Sequence, residues 1–64
     1  MLFVDWVVLT LEAVADEILV EDIIHRGSPA VRVLAAKGST VVCRLIPVGD
    51  TQGVRLLQSE LRAA

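Results

Sequence analysis

Ala30–Pro47, AVRVLAAKGSTVVCRLIP, decides the fold: two strand-like runs flank a break at Lys37-Gly38. Both runs are rich in Val, Leu and Ile with polar residues set between them, the composition of strands. A glycine at the break supplies the positive φ that a tight turn needs. The stretch therefore predicts a β-hairpin, Ala30–Ala36 with Ser39–Pro47. A three-residue loop, Ala36-Lys37-Gly38, places the glycine last, where such hairpins favour it. In that register Val31, Val33, Ala35, Val41, Cys43 and Leu45 share one face, and Arg32, Leu34, Thr40, Val42, Arg44 and Ile46 share the other. A two-residue loop would mix these sets and bury an arginine, which argues against that register. The three-residue loop is the expectation.

Toward the N-terminus, Leu2–Leu9 is an almost unbroken run of apolar residues, rich in β-branched and aromatic types. It reads as a strand buried on both faces. Thr10 then suits a helix N-cap, with Glu12 in the first turn. Leu11, Val14, Ala15, Ile18 and Leu19 follow at helical spacing, which predicts a helix over Leu11–Ile24 stopped by Gly27-Ser28-Pro29. Within Val20–Ile24, Asp22 intrudes on the apolar side and the pattern suits an extended chain equally.

Toward the C-terminus, Pro47, Gly49, Asp50 and Gly53 mark a break. Val54, Leu57 and Leu61 then line one stripe of a helix that Asp50 or Thr51 could cap. The competing reading of residues 53–63 is a Gly49–Gly53 turn leading into a strand at Val54–Leu57. The whole chain, 1–64, is expected to be a single α+β domain of order β-α-β-β-α with a central β-hairpin. An SH3-like small β-barrel is the alternative.

The chain has 64 residues, 55% of them hydrophobic, one cysteine and a formal net charge of −2. Its mean hydropathy is +0.68. So apolar a composition excludes disorder, yet a domain of this size has little interior, and large exposed apolar patches mark interaction sites. A homo-oligomer is expected. Cys43 alone can form no intrachain disulfide, which favours a reducing compartment. Met1–Leu11 has no basic flank and falls far short of the roughly 20 residues that span a bilayer. A cytoplasmic protein without a membrane segment is the expectation.

Charge is sorted along the chain. Six of the eight acids lie in the first 22 residues (Asp5, Glu12, Asp16, Glu17, Glu21, Asp22), with no base among them. All six bases follow, from Arg26 to Arg62, with only Asp50 and Glu60 beside them. Arg32, Lys37, Arg44 and Arg55 form a candidate basic binding face, since guanidinium forks suit carboxylates and phosphates. The competing reading pairs Arg32 and Arg44 with the acidic N-terminal segment. Phe3, Trp6, Leu34, Val42 and Ile46 are the candidate interface residues, Trp6 being of a type frequent at hot spots.

Catalytic and metal chemistry find little footing. Asp16 and Glu17 are adjacent, so on a helix they diverge rather than converge as a carboxylate pair. Cys43 reads as core and His25 as the C-terminal end of the helix, four residues after Glu21. One His and one Cys cannot complete a zinc site within one chain. No cofactor is implied.

Residues 30–62, with the run VRVLAAKGSTVVCRLIPVGDTQGVRLLQSELR, resemble the later strands of an SH3-like or Tudor-type small barrel. The likeness covers about half of the chain: strand, tight turn, strand, turn, short strand, then one turn around Ser59–Leu61. It implies binding of nucleic acid, peptide or small ligand, often in an aromatic-lined groove, but this half has no aromatic residue. LTLEAVAD (Leu9–Asp16) and SPAVRV (Ser28–Val33) are also similar to parts of excisionase-like winged-helix DNA binders. The residues between them are too few for a recognition helix. The sequence thus points to a non-catalytic protein–protein interaction or assembly module acting as a homo-oligomer. The alternative is a small SH3-like nucleic-acid binder using the arginine-bearing hairpin face.

Overall fold

Two tight turns set the sheet, and the computed structural model describes both within residues 1–64. Lys37 pairs with Thr40, so only Gly38 and Ser39 remain between β2 (Ser28–Lys37) and β3 (Thr40–Pro47). Gly38 has φ of 59° and Ser39 has no positive φ, matching the two-residue turn with glycine at its first central position. His25 pairs with Ser28 across Arg26-Gly27, closing β1 (Glu17–His25) onto β2. Both of these turn residues have positive φ, 50° and 80°, the conformation whose twist matches that of paired strands. The result is an open antiparallel sheet of order β1-β2-β3.

The two-residue loop overturns the expected hairpin register. Val31 pairs with Ile46, Val33 with Arg44 and Ala35 with Val42 on one face. Arg32 pairs with Leu45, Leu34 with Cys43 and Ala36 with Val41 on the other. The cost that argued against this register is not incurred. Arg44 lies on the inner face but stays exposed, and its Nη2 reaches Glu60 Oε1 at 2.7 Å. A long guanidinium arm keeps its charge in water while its stem lies along the apolar face.

The order of the first two elements is also corrected: the chain runs α-β-β-β-α, not β-α-β-β-α. The apolar run expected as a strand is α1 (Phe3–Glu12). Phe3, Val7, Leu11 and Val14 recur every three or four residues and face the core, with Val7 and Leu11 fully buried, while Asp5, Leu9 and Glu12 face out. Apolar residues at other positions hide that period. Asp5 Oδ2 accepts the Leu2 N–H at 3.3 Å and sits in the first turn, where the helix dipole favours an acid.

The expected Leu11–Ile24 helix loses all but its start, because its stripe runs across a helix end, a turn and a strand. In β1, Ile18 and Val20 pair with Ala35 and Val33 and point inward, whereas Leu19 and Ile23 pair with Leu34 and Ala30 and point outward. That alternation, with Ile and Val prominent, belongs to a strand. Asp22, the residue that spoiled the helical pattern, stands exposed on the inner side of this edge strand, opposite Val31.

The C-terminal helix forms as expected. In α2 (Thr51–Arg62), Asp50 Oδ1 accepts the Gly53 N–H at 2.9 Å, and Val54, Leu57 and Leu61 are buried. Gly53 is not merely tolerated, since a Cβ there would come within 2.5 Å of Asp50 Oδ2. Both helices cover the same face of the sheet and run side by side, with Trp6 beside Arg55 and Gln58 Nε2 donating to the Thr10 carbonyl at 3.0 Å. The core joins Val7 and Leu11 of α1, Val31, Val33 and Ala35 of β2, Val42 and Ile46 of β3, and Val54, Leu57 and Leu61 of α2. The α+β class and the central hairpin thus stand, in an open sheet rather than a closed barrel.

The two faces of α1 predict opposite behaviour. Leu11→Ala should lower unfolding free energy by about 2–5 kcal/mol through the cavity it leaves. Leu9→Ala, on the exposed face, should change it by less than about 0.5 kcal/mol. Urea unfolding followed by circular dichroism measures both, and equal losses would contradict this placement.

Candidate functional site

Because both helices lie on one side, the other side of the sheet has no covering layer. Three rows of paired residues cross its centre: Glu17–Ala36–Val41, Leu19–Leu34–Cys43 and Glu21–Arg32–Leu45. Ile23–Ala30–Pro47 and then His25–Ser28 complete it. Leu19, Leu34, Val41 and Leu45 are 54%, 44%, 67% and 41% exposed, and the Cys43 thiol is exposed too. Leu19, Leu34, Ala36 and Val41 line a shallow apolar depression with Glu17 at its rim.

One ion pair interrupts this apolar face. Arg32 donates from Nε and Nη2 to Glu21 Oε1 at 3.2 and 2.8 Å, both side chains remaining about half exposed. The Glu21 hydrogen bond and then its charge raise the Arg32 pKa above its usual value. Arg32 is therefore a fixed positive charge with its counter-ion beside it.

Both sheet edges carry a charge on the inner face: Asp22 on β1 and Arg44 on β3. Inward-pointing charges on edge strands discourage another strand from adding to the ladder. Pro47 closes β3 with a residue that has no N–H to donate.

The expected basic face is not assembled. Arg32 stands on the outer face and Arg44 on the inner one, so the two do not share a hairpin face. Lys37 Nζ donates to the Arg62 carbonyl at 3.2 Å, at the C-terminal end of α2. The Arg55 guanidinium lies 5.9 Å from the Trp6 ring centroid, an arrangement of attraction between cation and ring.

The expected interface residues also divide. Val42 and Ile46 are core, at 6% and 5% exposure, since the true register turns them inward. Phe3 and Trp6 are half-buried on α1 with ring centroids 5.9 Å apart. Leu34 alone keeps a place on the open face. Leu19, Val41, Cys43 and Leu45 join it there, and a two-residue loop would have revealed the last three.

The acids gather on no single helix. Glu21 meets Arg32, and Asp16 Oδ2 accepts the Gly38 N–H at 2.8 Å, holding the hairpin tip. The expected pairing with the acidic segment holds for Arg32, whereas Arg44 takes Glu60 of α2. His25 ends β1 beside a turn rather than a helix, and Cys43 is exposed rather than core. Three rows and two strands separate them. No group of three His, Cys, Asp or Glu residues could hold a metal ion, and no helix is long and apolar enough to cross a membrane.

Comparison with protein-family models, curated proteins and solved structures finds no match.

The Arg44–Glu60 contact predicts a small, salt-sensitive effect, as exposed ion pairs give. Glu60→Gln should lower stability by less than about 1 kcal/mol. The difference from wild type should shrink in high salt. Paired thermal melts at low and high ionic strength check it; a larger loss that ignores salt would mean the contact is packing, not charge.

Proposed function

We propose that the chain is a non-catalytic assembly module that acts in the cytoplasm as a homo-oligomer, with its open sheet face packed against that of a second copy. The observation that carries this reading is the contiguous run of Leu19, Leu34, Val41, Cys43 and Leu45 on a face that no element covers. Contiguous exposed apolar surface of this kind marks interaction sites. Only 11 of 64 residues are buried, and ten large hydrophobic residues remain exposed. The two helices cover one face of the sheet only. A second sheet at the usual spacing of about 10 Å would cover the other.

Charge supports a second copy over a charged partner. The only base on the open face, Arg32, already has Glu21 as its counter-ion. The four residues of the candidate basic face are dispersed over the molecule, which weakens the nucleic-acid reading. The inner-face charges on both edges favour association through the face rather than by extending the sheet. An exposed, unpaired thiol at Cys43 is best kept in a reducing compartment.

Size-exclusion chromatography with light scattering tests the proposal. Wild type should give a multiple of the 6.9 kDa chain mass, and Leu34→Asp should give the monomer with an unchanged circular dichroism spectrum. A wild-type monomer at high concentration, or a Leu34→Asp variant of undiminished mass, would overturn it. Retention on heparin at low salt that persists in Leu34→Asp would favour the nucleic-acid alternative instead.

A further inference from the structure

Resting on that assembly reading, the charge pattern also selects how the two faces meet. We infer that they pack about a two-fold axis that crosses the strands through the Leu19–Leu34–Cys43 row. A closed symmetric dimer sets the same patch of each copy against the other. For sheets stacked with their strands aligned, the axis lies between them and runs either along the strands or across them. An axis along β2 stacks every row on its own copy. Arg32 would then face Arg32 of the partner subunit at the sheet spacing of about 10 Å, and Glu21 would lie over Leu45.

An axis across the strands reverses the order of the rows. Centred on the middle row, it sets Leu19, Leu34 and Cys43 on their own copies. Val41 then meets Leu45 of the partner subunit, so all three contacts along β3 are apolar. The ion-pair row moves off the axis, and the two Arg32 side chains separate by roughly 14 Å along the strands. Each Arg32 lies against Ala36 of the partner subunit, one strand from that subunit's Glu17. It would stand one strand from both the Glu21 of its own chain and that second acid. The like-charge approach of Glu17 to Glu21, made twice by the symmetry, falls on the outer edge, where water and Arg32 screen it. The other axis stacks the two arginines at the centre of the sheet, away from water, each with only its own Glu21 beside it.

The lone cysteine makes the axis measurable. In a Cys43→Ser background, Ser28→Cys carries one nitroxide per chain at the far end of β2, outside the proposed contact. The distance between nitroxides is read by pulsed dipolar spectroscopy, with the mass checked by light scattering. The crossing axis places the two labels roughly 40 Å apart, whereas the axis along the strands leaves them about 10 Å apart before label length is added. Ser39→Cys in the same background, at the opposite end, should read roughly 30 Å for the crossing axis. Both sites giving the long distances supports the inference. Short distances at both, in a sample whose mass is that of a dimer, overturn this arrangement and leave the assembly reading standing. A monomeric unlabelled wild type overturns both.

Discussion

The two-residue turn at Gly38-Ser39 is the constraint on which the rest of the structure depends. Strand side chains alternate between faces, so this turn assigns every residue from Ala30 to Pro47 to one side. It sends Val42 and Ile46 inward with Val31, Val33 and Ala35, making a surface on which two helices can pack. It also sends Val41, Cys43 and Leu45 outward. Asp16 holds the Gly38 N–H from outside the hairpin, tying the turn to the segment that precedes β1. One glycine with positive φ thereby decides both what the core contains and what is left for a partner.

Layering follows from the elements that form. Sheets bury an apolar face against another layer, and a domain needs at least two layers around one core. Here α1 and α2 supply 22 helical residues, enough for one face of a three-stranded sheet. The chain's small size limits the surface that folding alone can bury. Four of the ten large hydrophobic residues left exposed share one surface. Leu19, Leu34, Val41 and Leu45 cluster on the outer face, which is why an interaction surface explains them better than chance exposure.

The hairpin and α2 were legible because their signals are local. A glycine between two β-rich runs announces a turn, and Asp50 three residues before Gly53 announces a cap. The N-terminal half was not, for two physical reasons. Its apolar residues exceed what one helix face holds, so a run such as Phe3–Leu9 shows no period that separates helix from strand. Leu11, Val14, Ala15, Ile18 and Leu19 then match helical spacing across a chain reversal, where periodicity has no meaning. The open face was hidden because loop length alone sets the register. An arginine on the inner face escapes burial when its guanidinium reaches past the sheet, as Arg44 does to Glu60, a residue distant in sequence.

The polarity of charge along the chain changes meaning once those elements are placed. Acids and bases far apart in sequence do not sort into an acidic helix and a basic sheet. Glu21 and Arg32 become cross-strand neighbours, while Asp22 and Arg44 become single charges at opposite edges. Each edge charge lies on the helix-covered side, so an added strand would have to bring its own residues against a carboxylate or a guanidinium there. The outer face has no charge of this kind at its centre except Arg32, which is already paired. Charge therefore closes the directions in which the sheet could grow sideways and leaves open the one in which it can stack.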